Sequence, residues 1–339
     1  MESELKIQKD SKVPKYLQVI DSLKTAIRQG ELKKGDHIFS INELSDEYLI
    51  SRNTAQKVYM ILSREGIIKS VRGKGFYIHR TDITKPFRIL LIFNKLSHYK
   101  KQVYNAFVST MGERATIDLK IHHFDTQVFE QIVFSNLADY DYLVIMPHFY
   151  NSLLGVNKVL QLIPGNQLVI LDKDITDFIT PYRAVFQDFN NDIITALESG
   201  LKALKKYKKI TLVYPVNIPY PPEIKVGFIF FCKQHGFDWS IIHEIGDDTT
   251  VNEGEVYIVI EETDLVSLIK NCETRKLCIG KQVGIISYND TPVKEILQGG
   301  ITVISTDHEM MGETAARLIL ENRKEKIKNP FRMIFRKSL

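Results

Sequence analysis

The sequence predicts a multi-domain chain of mixed class. A small α+β unit of helices and a hairpin comes first, followed by a two-lobed α/β region with parallel sheets. Three observations carry that reading. Helix-boundary signals and a glycine-bearing basic hairpin crowd into residues 1–80. From residue 87 onward, apolar β-rich runs alternate with helical patterns. The charge, finally, is unevenly shared: residues 1–80 carry 15 Lys/Arg against 10 Asp/Glu, and the remainder 30 against 31, so the net +4 arises in the first quarter. That asymmetry fits a polyanion-binding module joined to a neutral one. The 339 residues, 44% of them hydrophobic, suffice for two or three cores. No run approaches the ~20 apolar residues of a membrane span. The opening MESELKIQKDSK has no apolar segment of a secretory signal, so a cytoplasmic location without membrane contact is expected. Cys232, Cys272 and Cys278 show no CxxC spacing; they read as buried or incidental thiols in a reducing compartment, with no metal.

The elements of the first unit follow in order. Pro14 opens a helix, because its fixed φ suits the first helical position. Tyr16, Leu17, Ile20, Leu23 and Ile27 recur at helical spacing and form one apolar stripe. Gly30 ends that helix as a left-handed cap, and residues 32–36 make a turn leading to Ile38. Ser40 and Glu43 form a capping box that starts a short helix to about Tyr48. Ser51 caps a third helix, in which Ala55, Val58, Tyr59 and Leu62 face inward and Gly66 terminates. Ile67-Ile68 and Phe76-Tyr77-Ile78 flank Val71-Arg72-Gly73-Lys74-Gly75, the pattern of a hairpin with a cationic tip.

Helix, short helix, helix and basic hairpin make a winged helix-turn-helix, whose partner is a double-stranded DNA operator. The start of the third helix offers unpaired amides and a favourable dipole to phosphate. Arg52 sits where a guanidinium reaches a phosphate or a guanine edge, with Asn53, Thr54, Gln56 and Lys57 on the same side. Ser40, Asn42 and Ser51 at the two helix starts, and Arg72, Gly73 and Lys74 at the wing tip, complete the candidate interface.

The segment PKYLQVIDSLKTAIRQGELKKGDHIFSINELSDEYLISRNTAQKVYMILSREGIIKSVRGKGFYI resembles the GntR-family DNA-binding domain over nearly its whole length. The matching pieces are PxYxQ, IxxGxLxxGD, SxxEL, SRNTxxKxxxxLxxEG and GKGxxI. The resemblance implies that Arg52 contacts the major groove, that Gln56 is a recognition-helix contact, and that Arg72 with Gly73 forms the wing contact. Asn42 and Gln56 stand where many members carry Arg, which implies an operator of different sequence.

After a polar linker at 81–86, strands are expected at 88–93, 117–121, 142–146, 167–171, 209–214, 256–260 and 283–287, with helical segments near 99–114, 126–138, 189–207 and 222–235. Unalternating runs such as Leu143-Val144-Ile145 suit strands covered on both faces. The number of βα units exceeds one sheet, so two similar lobes are expected. Ligands of such sheets bind beyond the carboxyl ends of the strands. This singles out residues 94–99, 147–149 and 172–174, Glu261-Glu262 and 288–290. His122-His123 lies within a strand pattern whose neighbours point to opposite faces, which argues against a metal pair.

GIISYNDTPVKEILQGGITVISTDHEMMGETAARLILENR resembles the LacI/GalR effector domain, a relative of periplasmic sugar-binding proteins. The resemblance implies lobe one at about 87–186 plus 307–325 and lobe two at about 187–306 plus 326–339. It also implies effector contacts at Asp172, Glu262 and Asn289, to which His98, Tyr99, His148, Asp188 and Lys225 are added as candidates. Ile224 occupies the place of the family's ligand-gripping arginine, for which Lys225 or Glu223 could substitute. The effector is then a sugar, such as L-arabinose or L-fucose, or a non-sugar small molecule. The chain is expected to act as a homodimer, with the helix at 310–320 serving either as dimer contact or as core packing. A GntR–enzyme fusion using pyridoxal phosphate is the rival class. No larger partner domain, GxSxG, P-loop or GxGxxG motif supports it, so neither enzymatic activity nor a cofactor is expected.

Overall fold

The computed structural model describes residues 14–82, 86–150, 153–175, 178, 180–246 and 249–339; residues 83–85 of the expected linker lie outside the described residues. The chain divides into two compact units, one ending at Pro86 and one beginning at Phe87.

The first unit holds α1 (Lys15–Arg28), β1 (His37–Ile38), α2 (Ile41–Glu47), α3 (Arg52–Arg64), β2 (Ile68–Val71) and β3 (Gly75–Ile78). Ser40 caps α2 in a full capping box, and the Ser51 hydroxyl accepts from the Thr54 amide at the start of α3. α1 buries Val19, Ile20, Leu23, Ala26 and Ile27. Leu17, expected in the stripe, is exposed instead: the buried face is turned toward Val19 and Ala26. A Lys24–Glu65 ion pair of 2.7 Å ties α1 to the end of α3. The expected hairpin gains a third strand, because β1 pairs antiparallel with β3. Gly75 has φ of 95°, and a Cβ there would lie 2.6 Å from His37 Nε2, so the wing needs a glycine at this point.

The second unit runs β4 (Phe87–Phe93), α4 (His98–Met111), β5 (Ala115–Ile121), α5 (Thr126–Asn136), β6 (Tyr142–Ile145), α6 (Leu153–Gln161), β7 (Leu168–Asp172), β8 (Arg183–Phe186) and α7 (Phe189–Ser199). It continues with α8 (Leu201–Leu204), β9 (Lys209–Val213), α9 (Glu223–His235), β10 (Asp238–Ile242), β11 (Glu255–Val259), α10 (Glu262–Thr274) and β12 (Val283–Tyr288). It ends with α11 (Pro292–Ile296), β13 (Thr302–Thr306), α12 (His308–Leu320), β14 (Lys326–Lys328) and β15 (Phe331–Ile334). The single helix expected at 189–207 is broken at Gly200, where a Cβ would meet Met333 Sδ at 2.7 Å.

Two six-stranded sheets result, in the orders β14-β8-β7-β6-β4-β5 and β10-β9-β11-β12-β13-β15. All pairs in them are parallel except β13–β15, so the second sheet carries an antiparallel edge that the sequence does not predict. Alternate residues of β4 enter different cores: Ile89, Leu91 and Phe93 on one face, Leu90 and Ile92 on the other. This is why the strand reads as unbroken apolar sequence. Lys326–Lys328 pairs with β8 and belongs to lobe one, so the lobe boundary expected at 325/326 moves past Lys328. His122 and His123 follow β5 rather than lying in it. His122 is a core residue stacked on Phe149 at 4.6 Å, and His123 is left-handed with φ of 51°. Among the described residues, no helix is long and apolar enough to cross a membrane.

Candidate functional site

In the first unit, α2, the turn after it and α3 present polar heads at two capped helix starts. Asn42, Arg52, Asn53, Gln56, Lys57, Arg72, Gly73 and Lys74 are exposed. Ser40, Ser51 and Thr54 are consumed in capping: Ser40 Oγ accepts from the Glu43 amide at 3.2 Å, and Ser51 Oγ lies 2.8 Å from Thr54 Oγ1. Gly73, at φ of 74°, makes the turn of the wing between Arg72 and Lys74.

In the second unit, the strand orders place a switch point between β4 and β6 and another between β9 and β11, where neighbouring connections leave in opposite directions. The residues following these strands converge on one cleft between the lobes. Its inner chamber, about 40 Å³, is lined by Asn94, Lys100, His148, Asp172, Gln187 and His308, together with Phe124, Phe189 and Ile224. Its outer chamber, about 100 Å³, includes Ser97, His98, Glu261, Glu262 and Lys294. Lys95, Tyr99, Tyr220, Tyr288 and Asn289 line both. A larger surface groove of about 580 Å³ flanks α4 and α12. The cleft is the stronger ligand site because buried polar atoms without partners, the Tyr288 hydroxyl and Gln187 Oε1, face it.

A polar network rigidifies the inner wall. His148 Nε2 donates to Asp172 Oδ2 at 2.8 Å, Gln187 Nε2 donates to Asp172 Oδ1, and Lys100 Nζ donates to Asn94 Oδ1. Across the mouth, the Tyr220 hydroxyl donates to Glu261 Oε1, and Lys95 Nζ from lobe one lies 3.7 Å from the same carboxylate. Two wall residues take left-handed backbones: Asp172 at φ of 74° and Asn289 at 61°. Such positions cost about 1–3 kcal/mol each for a residue with a side chain. The Gln187 amide holds the first through the Asp172 carbonyl, and Lys294 Nζ holds the second through the carbonyls of Asn289 (2.8 Å) and Tyr288 (3.1 Å).

Charges in the inner chamber balance. Burial alone would raise the Asp172 carboxyl, but the His148 hydrogen bond, the nearby Lys100 and Gln187 together hold it well below the usual range. Burial pushes Lys100 down to about 8 against the attraction of Asp172, so the ammonium persists at neutral pH. Burial also lowers His148, despite its bond to Asp172, and brings His308 down to about 4. The Lys100 ammonium therefore stands against the Asp172 carboxylate between two neutral imidazoles, and Lys95, which also lines the chamber, is offset by Glu261 at 3.7 Å.

The expected effector residues are thus distributed unevenly. Tyr99, His148, Asp172 and Asn289 line the inner chamber, and His98 and Glu262 only the outer one. Asp188 is the cap of α7, accepting from the Asn191 amide, and lies outside the lining. Lys225 also lies outside, with Nζ 4.5 Å from the Tyr214 ring centroid. Lys225 and Glu223, the expected stand-ins for the missing arginine, are outside the lining, whereas Ile224 itself lines the chamber and Tyr220 approaches from the preceding loop. Sequence reasoning missed Lys100, Gln187, Tyr220 and His308. Gln187 follows a strand that the sequence does not predict. The run Pro219-Tyr220-Pro221 was the available signal for an aromatic fixed in a stiff loop.

A winged helix-turn-helix in one unit and a cleft between two parallel-sheet lobes in the other define a DNA-binding transcription regulator with an effector-type domain. Residues 15–78 match the model of bacterial regulatory proteins, gntR family, and residues 203–339 that of the periplasmic binding protein-like domain. The HTH-type transcriptional repressor YtrA of Bacillus subtilis is 30% identical over 125 residues, which cover 37% of this chain and 91% of the relative. The chain belongs to the GntR family. It is 28% identical to the arabinose metabolism transcriptional repressor of Geobacillus stearothermophilus over 72 residues, 21% of this chain and 20% of that protein. The crystal structure of the lac repressor dimer bound to operator and an anti-inducer superposes with a TM-score of 0.61 at 16% identity, covering 75% of this chain and 94% of that one. That likeness shows the shared fold.

Proposed function

We propose that this regulator is a cytoplasmic homodimer whose winged helices read two operator half-sites and whose cleft takes an uncharged, hydroxyl-bearing small molecule. A monosaccharide or sugar derivative such as L-arabinose or L-fucose fits that description. The carrying observation is the inner chamber: its Lys100 offset by Asp172 and its Lys95 by Glu261, walled by Phe124, Phe189 and Tyr288, and provided with an unpartnered donor and acceptor at Tyr288 and Gln187. Hydroxyls need such mixed donors and acceptors, and the C–H faces of a sugar stack on aromatic rings. The operator-bound lac repressor dimer and the arabinose repressor among its relatives support the same reading.

Size supplies the coupling. Ligand pockets usually measure about 300–1,000 Å³, far more than the ~40 Å³ chamber. A monosaccharide enters only by moving the lobes or the Tyr220 loop, so ligand-bound and ligand-free forms differ in shape. Such a ligand shifts the DNA-binding equilibrium by its difference in affinity for the two forms.

A thermal-shift screen of the full chain against monosaccharides and their phosphates tests this. An uncharged sugar at a hundredfold excess over its Kd raises stability by about 2.7 kcal/mol, and Asn289→Ala removes the shift while retaining DNA. Equal shifts in wild type and variant place the site elsewhere. A response to phosphates alone, or to no sugar, sinks the carbohydrate reading.

A further inference from the structure

The DNA-facing side chains of α2 and α3 fall into two groups, and the division says which base the protein reads. Half are already engaged within the unit: Ser40, Ser51 and Thr54 in caps, and Lys57 with its Nζ 3.7 Å over the Tyr16 ring. Asn42, Arg52, Asn53 and Gln56 are exposed, with no hydrogen bond, ion pair or ring contact among the described residues. Arg52 and Asn53 are the first two residues of α3, and Gln56 lies one turn beyond Arg52 on the same face. Asn42 is the second residue of α2.

The free set is therefore three carboxamides and one guanidinium. A carboxamide offers one acceptor beside one donor, which matches the adenine edge, N6–H₂ and N7. Guanine presents two acceptors, N7 and O6, of which an amide satisfies only one; a guanidinium satisfies both. We infer that the half-site is read mainly at adenines, by Asn42, Asn53 and Gln56, with a single guanine read by Arg52. The inference rests on the DNA-reading role given above to the winged helix and goes beyond it by naming the bases.

Selection of the full chain on a library of fully randomised duplexes tests it. The expected half-site carries several adenine-dominated positions and one guanine-dominated position. Gln56→Arg converts one of the adenine positions to guanine and leaves the others. Replacing that adenine with 7-deazaadenine, which pairs normally but lacks N7, weakens wild-type binding about tenfold and leaves the affinity of Gln56→Ala unchanged. A half-site dominated by guanine overturns the inference, as does a preference indifferent to Gln56→Arg or an equal 7-deaza penalty in both proteins. DNA retained at low salt with no enriched sequence overturns it too. If no DNA is retained at all, the reading role of the winged helix fails along with it.

Discussion

Two kinds of buried ionisable residue set the behaviour of the second unit. Asp172 is kept ionised inside the protein by its neighbours, whereas His122 and His308 are kept neutral by burial, both pushed down to about 4. The sign of the pH effect follows. With an ordinary histidine value near ~6.5, the unfolded chain takes up protons between about pH 6.5 and 4 that the folded chain refuses. Stability from the neutral histidines is complete above that window and is lost across it. The Asp172 contribution has the same direction but lies lower: it is complete above the ordinary carboxylate value of ~3.9 and is lost only in stronger acid. His122→Gln should therefore lower the thermal midpoint at pH 7.5, since the ring lies 3.2 Å from the Met146 carbonyl oxygen and stacks on Phe149. It should also flatten the decline between pH 6.5 and 4, by up to roughly 3 kcal/mol at the acid end. Parallel melting curves for wild type and variant across that range would show that His122 is not the titrating group.

At the scale of elements, legibility in the sequence tracks how locally each element is determined. α3 is readable because Ser51, Gly66 and the Ala55/Val58/Tyr59/Leu62 spacing are all local signals. β8 is not: Arg183 stands at its start, fully buried, and its guanidinium is satisfied by the carbonyls of Asn166 and Leu318 and the side chain of Asn322. Only the tertiary fold supplies those acceptors. β14 reads Lys-Ile-Lys and exists because β8 offers it an edge. The candidate site shows the same division. Asp172 and Asn289 end strongly apolar strands, so the sequence points to them. Gln187 and Tyr220 reach the cleft from an unforeseen strand and a loop. For α12 the sequence allows either a dimer contact or core; its inner face is core. Gly312 packs so closely on α4 that a Cβ would meet the Val103 carbonyl oxygen at 2.2 Å. Gly312→Ala is favoured by helix propensity by about 1 kcal/mol, yet overpacking against the α4 backbone costs up to about 3 kcal/mol, so a net loss of about 1–2 kcal/mol is expected, measured by urea unfolding of the full chain. Unchanged or increased stability would mean that the two helices separate freely.

At the scale of the second unit, the chain passes between the lobes three times: from β8 to α7, from β13 to α12 and from β14 to β15. Asn329, on the third passage and almost fully buried, joins all three. Its amide donates to the Phe186 carbonyl at 2.7 Å on the first passage. Its side-chain Nδ2 donates to Thr306 Oγ1 at 2.7 Å and to the Asp307 carbonyl at 2.8 Å on the second. The Asp307 amide returns a bond to the Pro330 carbonyl at 3.0 Å. A cleft that must widen to admit a ligand bends at these passages, so cross-bonds between them set how far and how freely the lobes part. Asn329→Ala keeps its backbone bond and loses both side-chain bonds, leaving only the Asp307 amide and the Thr306 hydroxyl, both on the Pro330 carbonyl, to join the second passage to the third. With spin labels on cysteines placed at the exposed Gln127 in α5 and Lys270 in α10, and the exposed Cys278 replaced by serine, the ligand-free wild type should give one narrow inter-lobe distance distribution. Asn329→Ala should broaden it toward longer distances, while Asn329→Asp, which has lost the donor but kept the shape, should fall with Ala rather than with wild type. A distribution that stays narrow in both variants would move the hinge restraint from Asn329 to the backbone bonds alone.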